Sequence, residues 1–100
     1  MSASRDFLMQ SIRLAILQCL DLDAGGSCNH VMIVHWLEDR RAYSLTDEEV
    51  KEQLAWLEAL KLVVIEDVNH YRIARLTEDG VRAARGLKKV EGVARVDPRG

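Results

Sequence analysis

Residues 46–62, TDEEVKEQLAWLEALKL, decide how this chain folds. Thr46 stands three residues before Glu49, the spacing at which a threonine hydroxyl and a glutamate carboxylate satisfy each other's backbone amides, so a helix is predicted to begin at Asp47. Val50, Leu54, Leu57 and Leu60 then recur at intervals of four and three, laying one apolar stripe along about four turns. That stripe has to be buried. Directly behind it, Val63-Val64-Ile65 exchanges the helical period for a β-branched run, the signature of a strand. Residues 63–67 and 71–76 are expected to pair as an antiparallel ribbon around Val68-Asn69-His70, where Asn69 is best able to take a positive φ.

Working outward, residues 5–22 read as a first helix, with Leu8, Ile12, Ala15, Ile16 and Cys19 on one side. The cluster Asp23-Ala24-Gly25-Gly26-Ser27 ends it in a loop. Asn29 is an N-cap for a second helix over residues 30–41, which should bury some of Val31, Met32, Val34, Trp36 and Leu37. Residues 42–45 are a connector of the length that joins the two helices of a helix-turn-helix. On the far side of the ribbon, Thr77 should cap a last helix over residues 78–85, with Gly86 as its stop and Gly80 an unusual interior residue. The order is therefore α-α-α-β-β-α: a mainly α fold with a small β-hairpin wing, a winged helix-turn-helix whose third helix is the recognition helix. Residues 1–86 form the domain, and residues 87–100, with Gly92 and Pro98, form a basic tail expected to fray.

One hundred residues suffice for a single core, and 48% hydrophobic with 30% charged residues is ordinary for a globular domain. The apolar runs around residues 14–22 and 31–37 are too short to span a bilayer, and the opening MSASRDFLMQ lacks the pattern of a secretory signal, so a cytoplasmic location is expected. In that setting Cys19 and Cys28 read as packed thiols rather than a disulfide. Cys28, His30 and His35 fall within eight residues and His70 could join them, but the spacing fits no usual ligand pattern, so neither metal nor cofactor is expected. A phosphate-cradling glycine loop and a spaced nucleophile and base are also missing, which argues against an enzyme.

Charge is uneven along the chain. Residues 1–68 hold twelve acids against six bases, giving −6, whereas residues 69–100 hold four acids against eight bases, giving +4. At 100° steps the face of the third helix opposite its apolar stripe carries Glu48, Lys51, Glu52, Ala55 and Ala59, a formal −1, with Asp47 and Glu58 flanking it. Groove reading and phosphate contact both rely on cations and amides, and of these only Lys51 qualifies. The candidate nucleic-acid contacts are therefore Ser44 and Thr46 at the helix start, Lys51 and Ala55 on its face, Asn69 and His70 in the turn, Arg72 and Arg75 on the second strand, and Arg82 and Arg85 on the last helix, with Lys88 and Lys89 beyond. Two other readings stay open: the cations solubilise the protein and pair with nearby carboxylates, or the acidic helix face meets a basic protein partner. Trp36 and Trp56 are expected in the core, and exposure of either would nominate a protein-binding or dimer surface.

Leu76-Thr77-Glu78-Asp79-Gly80, closing a hairpin and opening a helix, resembles the end of the wing in the MarR, PadR and ArsR groups of winged-helix regulators. Together with Arg13-Leu14-Ala15-Ile16-Leu17, Leu54-Ala55-Trp56-Leu57-Glu58 and the Gly92-Val93 and Pro98 tail, the chain more closely resembles the small ArsR-like proteins carried by Mu-like phages, nearly end to end. The resemblance implies a three-helix core plus wing, in a protein usually described as a transcriptional regulator or left without a function. The first functional expectation is a phage-encoded protein that binds double-stranded DNA as a homodimer in the host bacterial cytoplasm, using the Thr46 helix with the Arg72 and Arg75 wing. Lys61 departs from the resemblance, standing where such proteins commonly have glycine. If that site is left-handed, lysine costs on the order of 1 kcal/mol there.

Overall fold

Thr46 caps its helix as the spacing requires: its hydroxyl accepts the Glu49 amide at 3.1 Å, and the Glu49 carboxylate accepts the Thr46 amide at 2.9 Å. The computed structural model, described over residues 3–96, strings together α1 (Ala3–Leu22), β1 (Ser27–Asn29), α2 (His30–Arg41), α3 (Asp47–Ala59), β2 (Val63–Val68), β3 (Tyr71–Leu76) and α4 (Glu78–Ala84). Asn29 and Thr77 cap α2 and α4, accepting the Met32 amide at 2.9 Å and the Gly80 amide at 3.0 Å. The predicted winged-helix order is present, with one strand added.

The core is the meeting of three apolar stripes. Ile12, Ile16, Leu17 and Leu20 of α1, Ile33 and Leu37 of α2, and Val50, Leu54 and Leu57 of α3 are buried together, and Leu62, Val63 and Ala74 close the sheet side. One expectation is corrected: Leu60 does not continue the α3 stripe, because the helix ends at Ala59 and leaves Leu60 exposed. On α2 Leu37 is fully buried, with Val34 and Trp36 partly so, as expected of some of that set; Ile33 joins them and Met32 faces solvent.

The stretch expected as loop up to Ser27 contributes an edge strand. Ser27, Cys28 and Asn29 pair antiparallel with Arg75, Ala74 and Ile73, and the sheet order is β1-β3-β2. Three residues are too few to show a period, and the free edge of β3, nearly fifty residues away, is what makes them a strand. The hairpin turns on Asn69, whose φ of 54° confirms it as the residue taking the left-handed conformation.

Where α3 passes into β2 the chain makes its tightest corner. Lys61 adopts φ 61°, the Lys61 amide reaches Glu58 O at 2.8 Å, and the Leu62 amide reaches Leu57 O at 3.0 Å, a Schellman-type stop with lysine where glycine is favoured. Thr77 binds this corner from the other end of the wing: its hydroxyl donates to Lys61 O at 2.7 Å and its amide to Leu62 O at 3.1 Å. That brings the first turn of α4 onto the Leu62 carbonyl, where a β-carbon on Gly80 would overlap the oxygen. The interior glycine is thus a packing requirement.

Residues 87–96, expected to fray, are instead laid along α1. Val93 is buried, the Ala94 amide donates to Gln10 O at 3.1 Å, and Arg13 Nη1 donates to Gly92 O at 3.0 Å. Arg13 also donates through Nε to Gln53 at 2.9 Å and lies 3.8 Å over the Trp56 ring, tying α1, α3 and this segment to one guanidinium. Pro98 lies outside the described residues. Among the described residues no helix is long and apolar enough to cross a membrane.

The corner generates two opposite expectations. Gly80→Ala should lower stability by about 1–3 kcal/mol, since the added carbon meets backbone that cannot rotate away. Lys61→Gly should raise it by up to about 1 kcal/mol by relieving the left-handed lysine. Denaturant midpoints of the two variants measure this, and a Gly80→Ala protein as stable as the parent would contradict the packing at Leu62.

Candidate nucleic-acid interface

The face of α3 turned from the core presents Glu48, Glu52, Ala55 and Ala59 to solvent, with Lys51 half-buried among them. The β2–β3 hairpin rises beside it, and the two enclose a groove of about 350 Å³ lined by Lys51, Asp67, Asn69, His70, Tyr71 and Arg72. Four of the residues singled out from sequence, Lys51, Asn69, His70 and Arg72, are therefore brought together by the fold.

The groove's charges are largely matched within it. Arg72 grips Asp67 across the hairpin, Nε to Oδ1 at 3.0 Å, and Lys51 Nζ lies 3.7 Å from Glu48. The Arg72 hydrogen bond holds the Asp67 carboxyl below the usual carboxylate range, and the same bond raises Arg72. Ser44 and Thr46 are exposed at the α3 start. Thr46 accepts the Glu49 amide through its oxygen, which leaves its own O–H able to donate to another group. Ala55 shares the α3 face but does not line the groove.

The remaining candidates lie elsewhere. Arg75 is exposed at the base of β3, paired in register with Val64 and Ser27, and alternates with buried Ala74, so it projects from the outer face of the sheet. On α4 and just past its end, Arg82 pairs with Glu78 at 2.9 Å, Arg85 with Asp21 of α1 at 2.9 Å, and Lys88 with Asp79 at 3.3 Å. Arg82, Arg85 and Lys88 are thus each matched by a carboxylate, while Arg75 is not paired with one among the ion pairs of the described residues. Only folding reveals this for Arg85, whose partner lies 64 positions earlier.

His30, considered from sequence as a metal ligand and rejected as one, is 3% exposed and sits where three elements meet. It is the first residue of α2, its Nδ1 accepts the Arg72 amide of β3 at 3.1 Å, and its Nε2 stands 3.8 Å from the carboxylate of Asp47, the first residue of α3. No signal in the sequence linked position 30 to position 72.

A larger concavity, about 700 Å³, lies behind α2 and is lined by Cys19, Cys28, Met32, His35 and Trp36, among others. Arg40 reaches both Asp23 and Asp39 there, and the Trp36 indole donates to Asp23, so its polar groups are mutually engaged. Burial pushes the Cys19 thiol up to about 12 and also raises Cys28, so neither is an activated nucleophile. Among the described residues no three His, Cys, Asp or Glu side chains converge as a metal site. The two tryptophans are half-buried and each is covered by arginine, Trp56 by Arg13 and Trp36 by Arg41.

No protein-family model matches the chain. The uncharacterized protein gp26 of Escherichia phage Mu is 31% identical over 94 residues, which is 94% of this chain and 96% of that protein. A winged-helix DNA-binding protein from STIV shares the fold, with a TM-score of 0.63 at 19% identity over 74% of this chain and 79% of that one.

The Asp67 carboxyl gives a pH signature with a definite sign. A carboxylate depressed on folding contributes stability that is present above the unfolded value, about 3.9, and is lost as pH falls through the lower folded value. In a carbon-detected carboxyl titration Asp67 should therefore titrate below free aspartate, and Arg72→Ala should move its midpoint back up. A midpoint indifferent to Arg72 would show that the pairing does not persist in solution.

Proposed function

This chain belongs to the family of the phage Mu protein gp26, and we propose that it is a DNA-binding winged helix, a transcriptional regulator of ArsR-like type acting in the bacterial cytoplasm rather than an enzyme. The observation that carries the reading is the convergence of Lys51, Asn69, His70 and Arg72 in the groove between α3 and the wing. In this reading α3 approaches the major groove while the wing holds the backbone, and the wing supplies most of the affinity. Arg72 exchanges Asp67 for a phosphate on docking, and Ser44 and the free Thr46 O–H donate to phosphates at the helix start. Ala55 offers only methyl contact. Arg75, Arg82 and Arg85 act through the long-range field, because none of them lines the groove. Exposed Phe7 and Leu8 at the start of α1 suit contact between two copies, as binding to paired half-sites requires.

A second reading has its own support. The exposed face of α3 is acidic, with the Glu48 carboxylate 86% and the Asp47 carboxylate 57% exposed, which favours a basic protein partner in phage regulation, assembly or packaging. Anisotropy titrations of labelled duplex between about 50 and 200 mM salt separate the two. Under the first reading binding weakens steeply with salt, Arg72→Ala lowers the salt slope by about one, and Asp67→Asn tightens binding. Failure to bind any duplex at low salt, with capture of a basic protein that Glu48→Lys abolishes, would leave the second.

A further inference from the structure

The pairing of β1 with β3 ends at Asn29 opposite Ile73, because the next residue, His30, already belongs to α2. Arg72 would face that next position. Its amide points toward the edge β1 has just vacated, the same edge on which the Leu76 amide donates to Gly26 O at 2.7 Å. The acceptor it finds is the imidazole Nδ1 of His30, at 3.1 Å, so a side chain continues the ladder where the backbone has turned into helix. The other ring nitrogen faces Asp47 at the start of α3. A single buried ring therefore spans the wing strand and the first residue of the recognition helix. These are the two walls of the groove.

We propose that His30 is a positioning residue that sets the distance between wing and recognition helix, and that it does so only while Nδ1 is unprotonated. The inference rests on the reading of the groove as the DNA contact for its biological use, but not for its physical content. A neutral imidazole accepts at one nitrogen and carries a proton on the other, which matches the amide bonded at Nδ1 and a carboxylate 3.8 Å from Nε2, beyond direct hydrogen-bond reach. An imidazolium donates at both and must release the Arg72 amide. Around the ring stand Asp47 of α3, Asp67 of β2, and the Arg72 amide and Tyr71 of β3, the tyrosine ring centroid at 6.3 Å. The Asp67 carboxylate is itself held by the Arg72 guanidinium, so the direct contacts of the ring are the Arg72 amide and the Asp47 carboxylate.

Amide exchange in the intact chain tests this, with Leu76 as an internal reference on the same strand edge. His30→Asn keeps an acceptor near the position of Nδ1, and His30→Leu offers none. Arg72 should keep its protection in His30→Asn and exchange about tenfold faster relative to Leu76 in His30→Leu, with duplex affinity falling in the second variant and recovering in the first. Unchanged Arg72 protection in His30→Leu overturns the proposal. If that variant does not fold, an Arg72 amide in the parent chain that exchanges far faster than the Leu76 amide overturns it instead. Absence of duplex binding by the parent would defeat the functional reading alone, because the exchange ratio still decides the role of His30.

Discussion

Two neighbouring carbonyls, those of Lys61 and Leu62, hold the architecture together. They sit where α3 stops and β2 starts, and Thr77, at the far end of the hairpin, donates to both. A hairpin only six residues long on each side has little stability of its own, so its orientation depends on how its two ends are fastened. Thr77 does the fastening while also capping α4, and Gly80 lets α4 come close enough for the contact to exist. The left-handed lysine is the strained element that this closure tolerates. Every distance in the groove between α3 and the wing is inherited from that corner and from the imidazole bridge opposite it.

The electrostatics of the groove are those of a site closed upon itself. Lys51 and Arg72 each lean on a carboxylate, and the arginines of α4 do the same. Exposed pairs of this kind are individually weak, on the order of 0–1 kcal/mol, so exchanging a carboxylate for a phosphate is inexpensive even though it is not a gain in charge. The surface combines a groove beside the wing with an acidic outer face on α3.

On the opposite side of the molecule, Arg13 joins parts that the groove never touches. Its guanidinium stacks on Trp56 while donating to Gln53 and to the Gly92 carbonyl, so the last described segment is held to α1 and the back of α3. Burial lowers the Arg13 pKa, with Asp6 acting against it, as expected for a cation partly withdrawn from water. Helix α3 is thereby braced along its length as well as at its ends.

The features that could be read along the chain are those whose causes lie within a few residues. The capping of α2, α3 and α4 by Asn29, Thr46 and Thr77, the switch from helical to strand periodicity at Val63, the left-handed Asn69 and the winged-helix order all follow from local hydrogen bonding and spacing. Of the candidate site, Lys51, Asn69, His70 and Arg72 were within reach because helix face and hairpin turn are local properties. What escaped depends on contacts between distant positions. Ser27–Asn29 is a strand because β3 offers an edge, residues 87–96 are ordered because Arg13 and Gln10 receive them, Arg85 is neutralised by Asp21, and His30 meets Arg72. Local spacing determined which segments are helix and wing. Only the tertiary structure decided which charges are matched and which side chain joins the wing to the helix, because a partner brought near by folding leaves no period in the sequence.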